Sequence, residues 1–266
     1  MIVTGSTSLF ERVTGGVVRR TLRDVLTAAG SRLASANVVP SEKERSKLEK
    51  ARAPRLRCVY HSVDTTFFRP EAKSNLPTAV MVAQLNPLSI RRKGVDTALR
   101  ALAQARRSVP DLTLTIVGPI SREGQVRLDQ LRGEVDFTGV AIRGEVGRDE
   151  KRALLARSWM YLQPSMYEGF GVAVLEGMAC ACVPVSSKAG ALGEVVGDVG
   201  RFVPAADPES LATEMVHLVH DRGLRERLGQ RARERSQLFD SSVHVEGLGR
   251  VLRDVGWLTE KEVESR

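Results

Sequence analysis

Two carboxylates, Glu168 and Glu176, stand eight residues apart in YEGFGVAVLEGMACACVPV (167–185), a stretch that otherwise reads as protein core. Between Val172 and Ala181 the pattern is helical, with Glu176 as the single charged side chain. A helix that is apolar all round is normally buried. A buried carboxylate without partners costs several kcal/mol or shifts its pKa. Glu176 therefore requires hydrogen-bond donors, supplied either by the protein or by a ligand. Gly169 and Gly171 precede the helix, where backbone N–H groups approach a ligand closely and the helix dipole attracts an anion. Glu176 lies about 8 Å further along the axis, at a rise of roughly 1.5 Å per residue. One carboxylate then sits at the mouth beside a phosphate and the other deeper. A nucleotide sugar, with hydroxyls on both sides of a diphosphate, satisfies both.

On residue types alone, G-x-G before a helix is a weak signal. Val174 stands where the dinucleotide fingerprint G-x-G-x-x-G needs its third glycine, and no G-x-x-x-x-G-K-[ST] occurs in the chain. A core glutamate satisfied by the protein and a ligand-binding glutamate are both compatible with this stretch.

The elements that must position these residues follow a regular alternation. Short apolar runs at 78–84, 112–118, 135–139, 159–165, 183–187 and 201–204 are separated by helical patterns near 94–108, 122–132, 148–157, 171–181 and 208–219. This predicts an α/β fold, a Rossmann-like parallel sheet with helices on both faces. Ligands of such sheets bind beyond the carboxyl ends of the strands. Two further helices are expected near 221–236 and 242–255. The first 56 residues differ: a helix over 15–35, one short strand at 36–40, and a helix at 41–51 with Ser41 and Glu44 as a capping box. A lone parallel strand needs neighbours. Residues 1–56 are therefore read as the remnant of an earlier domain, 57–75 as a linker and 76–266 as the main domain.

Composition bounds the function. The charge of +8 and pI near 9.8 favour anionic partners, either phosphates or an acidic membrane face. The alternating charges of LRERLGQRARERS (224–236) mark a solvated face. With no zinc-finger, RNP-like or bZIP pattern, nucleic acid is not an expected partner. Cys58, Cys180 and Cys182 include no C-x-x-C, which points to neither a disulfide framework nor a zinc site and suits a reducing cytoplasm. The amino terminus lacks the apolar run of a signal peptide, and no segment approaches the roughly 18 apolar residues of a spanning helix.

PSMYEGFGVAVLEGMACACVPV (164–185) resembles the signature P-S-x-x-E-G-F-G-x-x-x-L-E-A-M-A-x-G-x-P-V of retaining glycosyltransferases of the GT-B fold, family 4. VDTTFFRP, AVMVAQLNPLSIRRKGVDTALRALAQARRSVPDLTLTIVG, GALGEVVGDVGRFVPAADPESLATEM and LRERLGQRARERSQLFD extend the likeness over about 57–245. It implies that 76–266 is the donor-binding, C-terminal half of a GT-B fold and that 1–56 ends the acceptor domain. By resemblance, Glu176 accepts hydrogen bonds from the ribose hydroxyls and Glu168 lies near the transferred sugar. Gly169, Phe170 and Gly171 supply amides to sugar and phosphate, and Glu194 lies near the donor pocket. Lys93 neutralises the diphosphate leaving group, an electrostatic role that needs no metal or other cofactor. The partners implied are a nucleotide-sugar donor and a saccharide or lipid-linked acceptor.

The chain departs from the pattern at Gln84, where the family usually has an arginine joining the lysine on the diphosphate. Losing one charge-assisted contact of about 1.5–3 kcal/mol slows transfer roughly ten- to a hundredfold, unless Arg91 or Arg92 substitutes. None of His61, His217, His220 and His244 falls in a matching stretch, so all four read as surface or packing residues. The resemblance thus implies retaining transfer from a nucleotide-diphosphate sugar. Gln84 and the incomplete first domain raise a second reading, a non-catalytic nucleotide-sugar-binding module needing a partner chain for the acceptor. A sugar-nucleotide epimerase is a third, against which the two spaced glutamates argue.

Overall fold

The computed structural model describes residues 2–4, 33–50, 53 and 55–258. The chain divides into two compact units, Met1–His61 together with Ser241–Arg266, and Ser62–Asp240.

In the first unit, β1 (Ile2–Thr4), β2 (Ala36–Val39) and β3 (Leu56–Cys58) form a parallel sheet in that order. The strand expected to be alone therefore has a neighbour on each side, one of them, β3, running across the expected boundary between residues 1–56 and the 57–75 linker. Helix α1 (Glu42–Lys50) starts where the capping box places it, with Ser41 Oγ accepting the Glu44 N–H at 3.0 Å. The helix expected over 15–35 falls outside the described residues apart from its last three positions. The helix Ser241–Asp254 belongs to this unit rather than to a 76–266 domain, because its Val251 is buried in one cluster with Ala36, Val38 and Val59.

The second unit carries the predicted alternation. In chain order it contains β4 (Thr78–Val82), α2 (Pro87–Lys93), α3 (Val95–Ala105), β5 (Thr113–Val117) and α4 (Arg122–Glu134). Then come β6 (Val140–Ile142), α5 (Arg148–Arg157), β7 (Met160–Gln163), α6 (Val172–Ala179) and β8 (Val183–Ser186). It closes with α7 (Leu192–Val196), β9 (Arg201–Phe202), α8 (Pro208–His220) and α9 (Arg222–Ser236). All six strands are parallel, in the order β6-β5-β4-β7-β8-β9. β7 and β8 are buried at every residue, as central strands covered on both faces must be. Leu99 and Leu102 of α3 share one core with Met215 and Leu218 of α8 and with Met81, Ile116, Leu162 and Val185 of the sheet.

The strand expected at 135–139 begins later, at Val140. Asp136 Oδ1 accepts the Thr138 N–H at 2.8 Å and its hydroxyl at 2.6 Å, a side-chain turn that competes with the ladder. Helices α2 and α7 lie in stretches that periodicity left unassigned. α2 is set by its ends: Asn86 Oδ1 caps the Ser89 N–H at 2.8 Å, Pro87 occupies its first turn and Gly94 terminates it.

Candidate functional site

From β4 the chain runs outward through β5 and β6, then returns to β7 on the other side and continues through β8 to β9. The crevice beyond β4 and β7 is thus the topological switch point, where open α/β sheets hold ligands. Both glutamates lie there.

Lys93, the last residue of α2, reaches the loop after β7 because the joint between α2 and α3 packs against that loop. Gly94 has φ +75°, and a Cβ there would lie 2.5 Å from Pro164 O, so only glycine permits the approach. Met166 N–H donates to Arg92 O at 2.8 Å and Ser165 Oγ to Lys93 O at 3.4 Å, sewing the two segments together. Lys93 Nζ then donates to Glu168 Oε2 in a mostly buried ion pair.

Glu168 is held from beneath as well. Gln163 Nε2 donates to Glu168 Oε2 at 3.0 Å and to Ser165 Oγ at 2.7 Å, and Gln163 Oε1 accepts the Tyr161 hydroxyl at 3.1 Å. Tyr161 OH in turn accepts the Val82 N–H at 3.4 Å. Burial pushes the Tyr161 hydroxyl well above its usual pKa, so it remains a donor. The Gly169 N–H donates to Glu168 Oε1 at 3.1 Å. From the loop after β8, Gly190 packs so closely that a Cβ would stand 1.4 Å from Glu168 O.

Glu176 lies in the second turn of α6, whose N-cap is Gly171. Phe170 is buried with its ring edge-on to Phe239, 6.0 Å between centroids, while Gly169 is exposed. The donor that Glu176 requires comes from the protein: Lys151 Nζ of α5 donates to Glu176 Oε1 at 2.7 Å. Burial pushes the Glu176 carboxyl above its ordinary range, with Lys151 working in the opposite direction. Each carboxylate thus carries its own lysine. Gln84 is exposed in the loop after β4. Glu194 is half-buried in the first turn of α7, where its carbonyl accepts Arg235 Nη2 at 2.6 Å. Beyond β8 and β9 an open recess of about 550 Å³ is lined by Met166, Ser187, Lys188, Ala189 and Phe202 among others.

The spacing of the chain pointed to Glu168, Glu176 and the glycine loop, and the resemblance to Lys93. Lys151, Gln163 and Tyr161 were missed. Gln163 left a legible signal, since a polar residue ending a buried strand must find partners. Lys151 left none: it lies in RDEKR, which reads as a solvated helix face. Burial pushes the Cys180 thiol up to about 12, which leaves it a packing residue. Among the described residues no group of three or more His, Cys, Asp or Glu is placed to hold a metal ion, and no helix is long and apolar enough to cross a membrane.

A Rossmann-like parallel sheet with helices on both faces, and carboxylates and lysines paired at its switch point, defines the class: an α/β unit of the GT-B type. The chain belongs to the glycosyl transferases group 1 family, which it matches over residues 62–235. The lipopolysaccharide core biosynthesis mannosyltransferase LpcC of Rhizobium leguminosarum bv. viciae is 29% identical over 187 residues, which cover 65% of this chain and 52% of that protein. The chain therefore spans about half the length of this curated relative. Sucrose-phosphate synthase from Thermosynechococcus elongatus shares the fold with a TM-score of 0.81 at 22% identity, covering 96% of this chain and 67% of that one. Anabaena HepE, solved in complex with UDP and glucose, does so with a TM-score of 0.74 at 21% identity, covering 86% and 66%.

Proposed function

We propose that the chain binds a nucleotide-diphosphate sugar in the crevice beyond β4 and β7 and transfers its glycosyl unit, with retention, to a saccharide or lipid-linked acceptor. The observation that carries this is the pair of ionic contacts, Lys93 with Glu168 and Lys151 with Glu176, gathered at the switch point beside the α6 N-terminus. Glu176 takes the ribose hydroxyls and Glu168 the sugar. Lys93 exchanges Glu168 for the diphosphate, whose charge grows as the glycosidic bond breaks. The backbone amides of Gly169, Phe170 and Gly171, just ahead of α6, serve the same charge once the Gly169 N–H leaves Glu168 Oε1, and Glu194 borders the donor. No metal is assigned a part, since Lys93 and these amides supply the electrostatic work. Residues 1–56 belong to the acceptor side. UDP and glucose in HepE and mannosyl transfer by LpcC support a nucleotide-sugar donor.

Calorimetry with UDP-, GDP- and ADP-sugars tests the reading; no heat from folded protein with any of them would overturn it. Gln84, exposed and neutral in the loop after β4, favours a second reading, a nucleotide-sugar-binding module that relies on a partner chain for transfer. Donor turnover by the purified chain alone, with and without a chelator, separates the two.

A further inference from the structure

Resting on the donor-site reading above, we infer that Lys151 is a positioning residue that makes this site select ribonucleotides over their deoxy counterparts. Lys151 is held between two partners: its Nζ donates to Glu176 Oε1 at 2.7 Å and lies 5.3 Å from the centroid of the Phe68 ring. Its side chain is 25% exposed and that of Glu176 11%, so the contact is screened far less than a surface ion pair. The ammonium is not free to wander. Arg148, one turn earlier on α5, stacks 3.8 Å over the Phe67 ring and donates to Asp64 Oδ2 at 2.8 Å, which anchors the same face of the helix.

Lys151 therefore does two things for Glu176. It fixes the plane of the carboxylate, committing Oε1 to the protein and presenting Oε2 as the oxygen for a ligand diol. It also opposes the burial that favours the neutral acid, drawing the group toward its ionised form. Hydrogen bonds to an ionised acceptor are about twice as strong as those between neutral partners. A ribose that offers two hydroxyls to an oriented carboxylate gains this strengthening, and a dideoxyribose does not. Removing Lys151 should thus weaken the ribonucleotide alone, whereas loss of general packing would weaken both.

The test is calorimetric titration of wild type, Lys151→Met, Lys151→Arg and Glu176→Gln with UDP, GDP and ADP and with their 2′,3′-dideoxy counterparts. For the base that binds, wild type should prefer the ribonucleotide, Lys151→Met should weaken it about tenfold with the dideoxy affinity unchanged, and Lys151→Arg should restore the preference. Lys151 is partly exposed on a helix surface, and matching thermal melts confirm that Lys151→Met folds. If wild type prefers the ribonucleotide and Lys151→Met keeps the same preference, the inference fails while the donor-site reading stands. If wild type binds none of the nucleotides, the donor-site reading fails and takes this inference with it.

Discussion

At the scale of single residues, burial and charge pull the Glu176 carboxyl in opposite directions, and burial prevails. A carboxyl whose folded pKa lies above its usual 4.5 binds its proton more tightly in the native state. Its contribution to stability is therefore lost as pH rises from 4.5 through the folded pKa. Glu176→Gln abolishes this titration, so the variant should gain stability relative to wild type between pH 4.5 and 7, as read by urea unfolding at both values. The gain is greatest at the upper end. Glu168 should behave differently in function: with Glu168 proposed to take the sugar and Glu176 the ribose, Glu168→Gln is expected to leave nucleotide affinity within about twofold and to lower donor turnover. Lys93→Met should lower turnover roughly ten- to a hundredfold, the worth of one charge-assisted contact to the diphosphate. Comparable loss of UDP-sugar and UDP affinity in Glu168→Gln would contradict the division of labour between the two carboxylates.

At the scale of elements, the site depends on close backbone approaches that tie three strand ends together. Gly190, φ +58°, lets the loop after β8 press on the Glu168 carbonyl. Gly190→Ala should cost about 1–3 kcal/mol in backbone strain before the overlap with Glu168 is counted, and donor binding should fall with it. Gly193→Ala, three residues on, is the control: its Cβ would meet nothing within 4 Å, so thermal melts should shift by the equivalent of about 1 kcal/mol or less. The alternation of elements was legible because β-branched runs and helical periodicities are local. The start of β6 was not, since the Asp136 turn overrides a strand-like run. The three strands of the first unit were equally hidden: Ile2–Thr4 and Leu56–Cys58 are too short to read as strands without the neighbour that pairs them.

At the scale of the molecule, Arg233 of α9 draws distant segments together: it donates to Phe68 O at 3.0 Å, Ala179 O at 3.1 Å and Thr65 O at 3.0 Å. Three part-buried carbonyls would lose their donor in Arg233→Ala, at about 1 kcal/mol each. Differential scanning calorimetry should show Tm lower by roughly 6–12 °C for a unit of this size. An unchanged Tm would mean that water replaces the guanidinium at all three sites. The amino-acid sequence by itself determined the fold class, the family, the two spaced carboxylates and the need of Glu176 for a donor. These follow from periodicity, from residue types at fixed spacing and from the cost of burying charge, all of which act over short stretches of chain. The tertiary structure alone decided which donor answers that need, which side chains brace Glu168, and which unit claims the helix Ser241–Asp254. Lys151 and Glu176 are 25 residues apart, and Lys93 and Glu168 are 75. Only the crossing of the chain at the switch point sets such partners side by side.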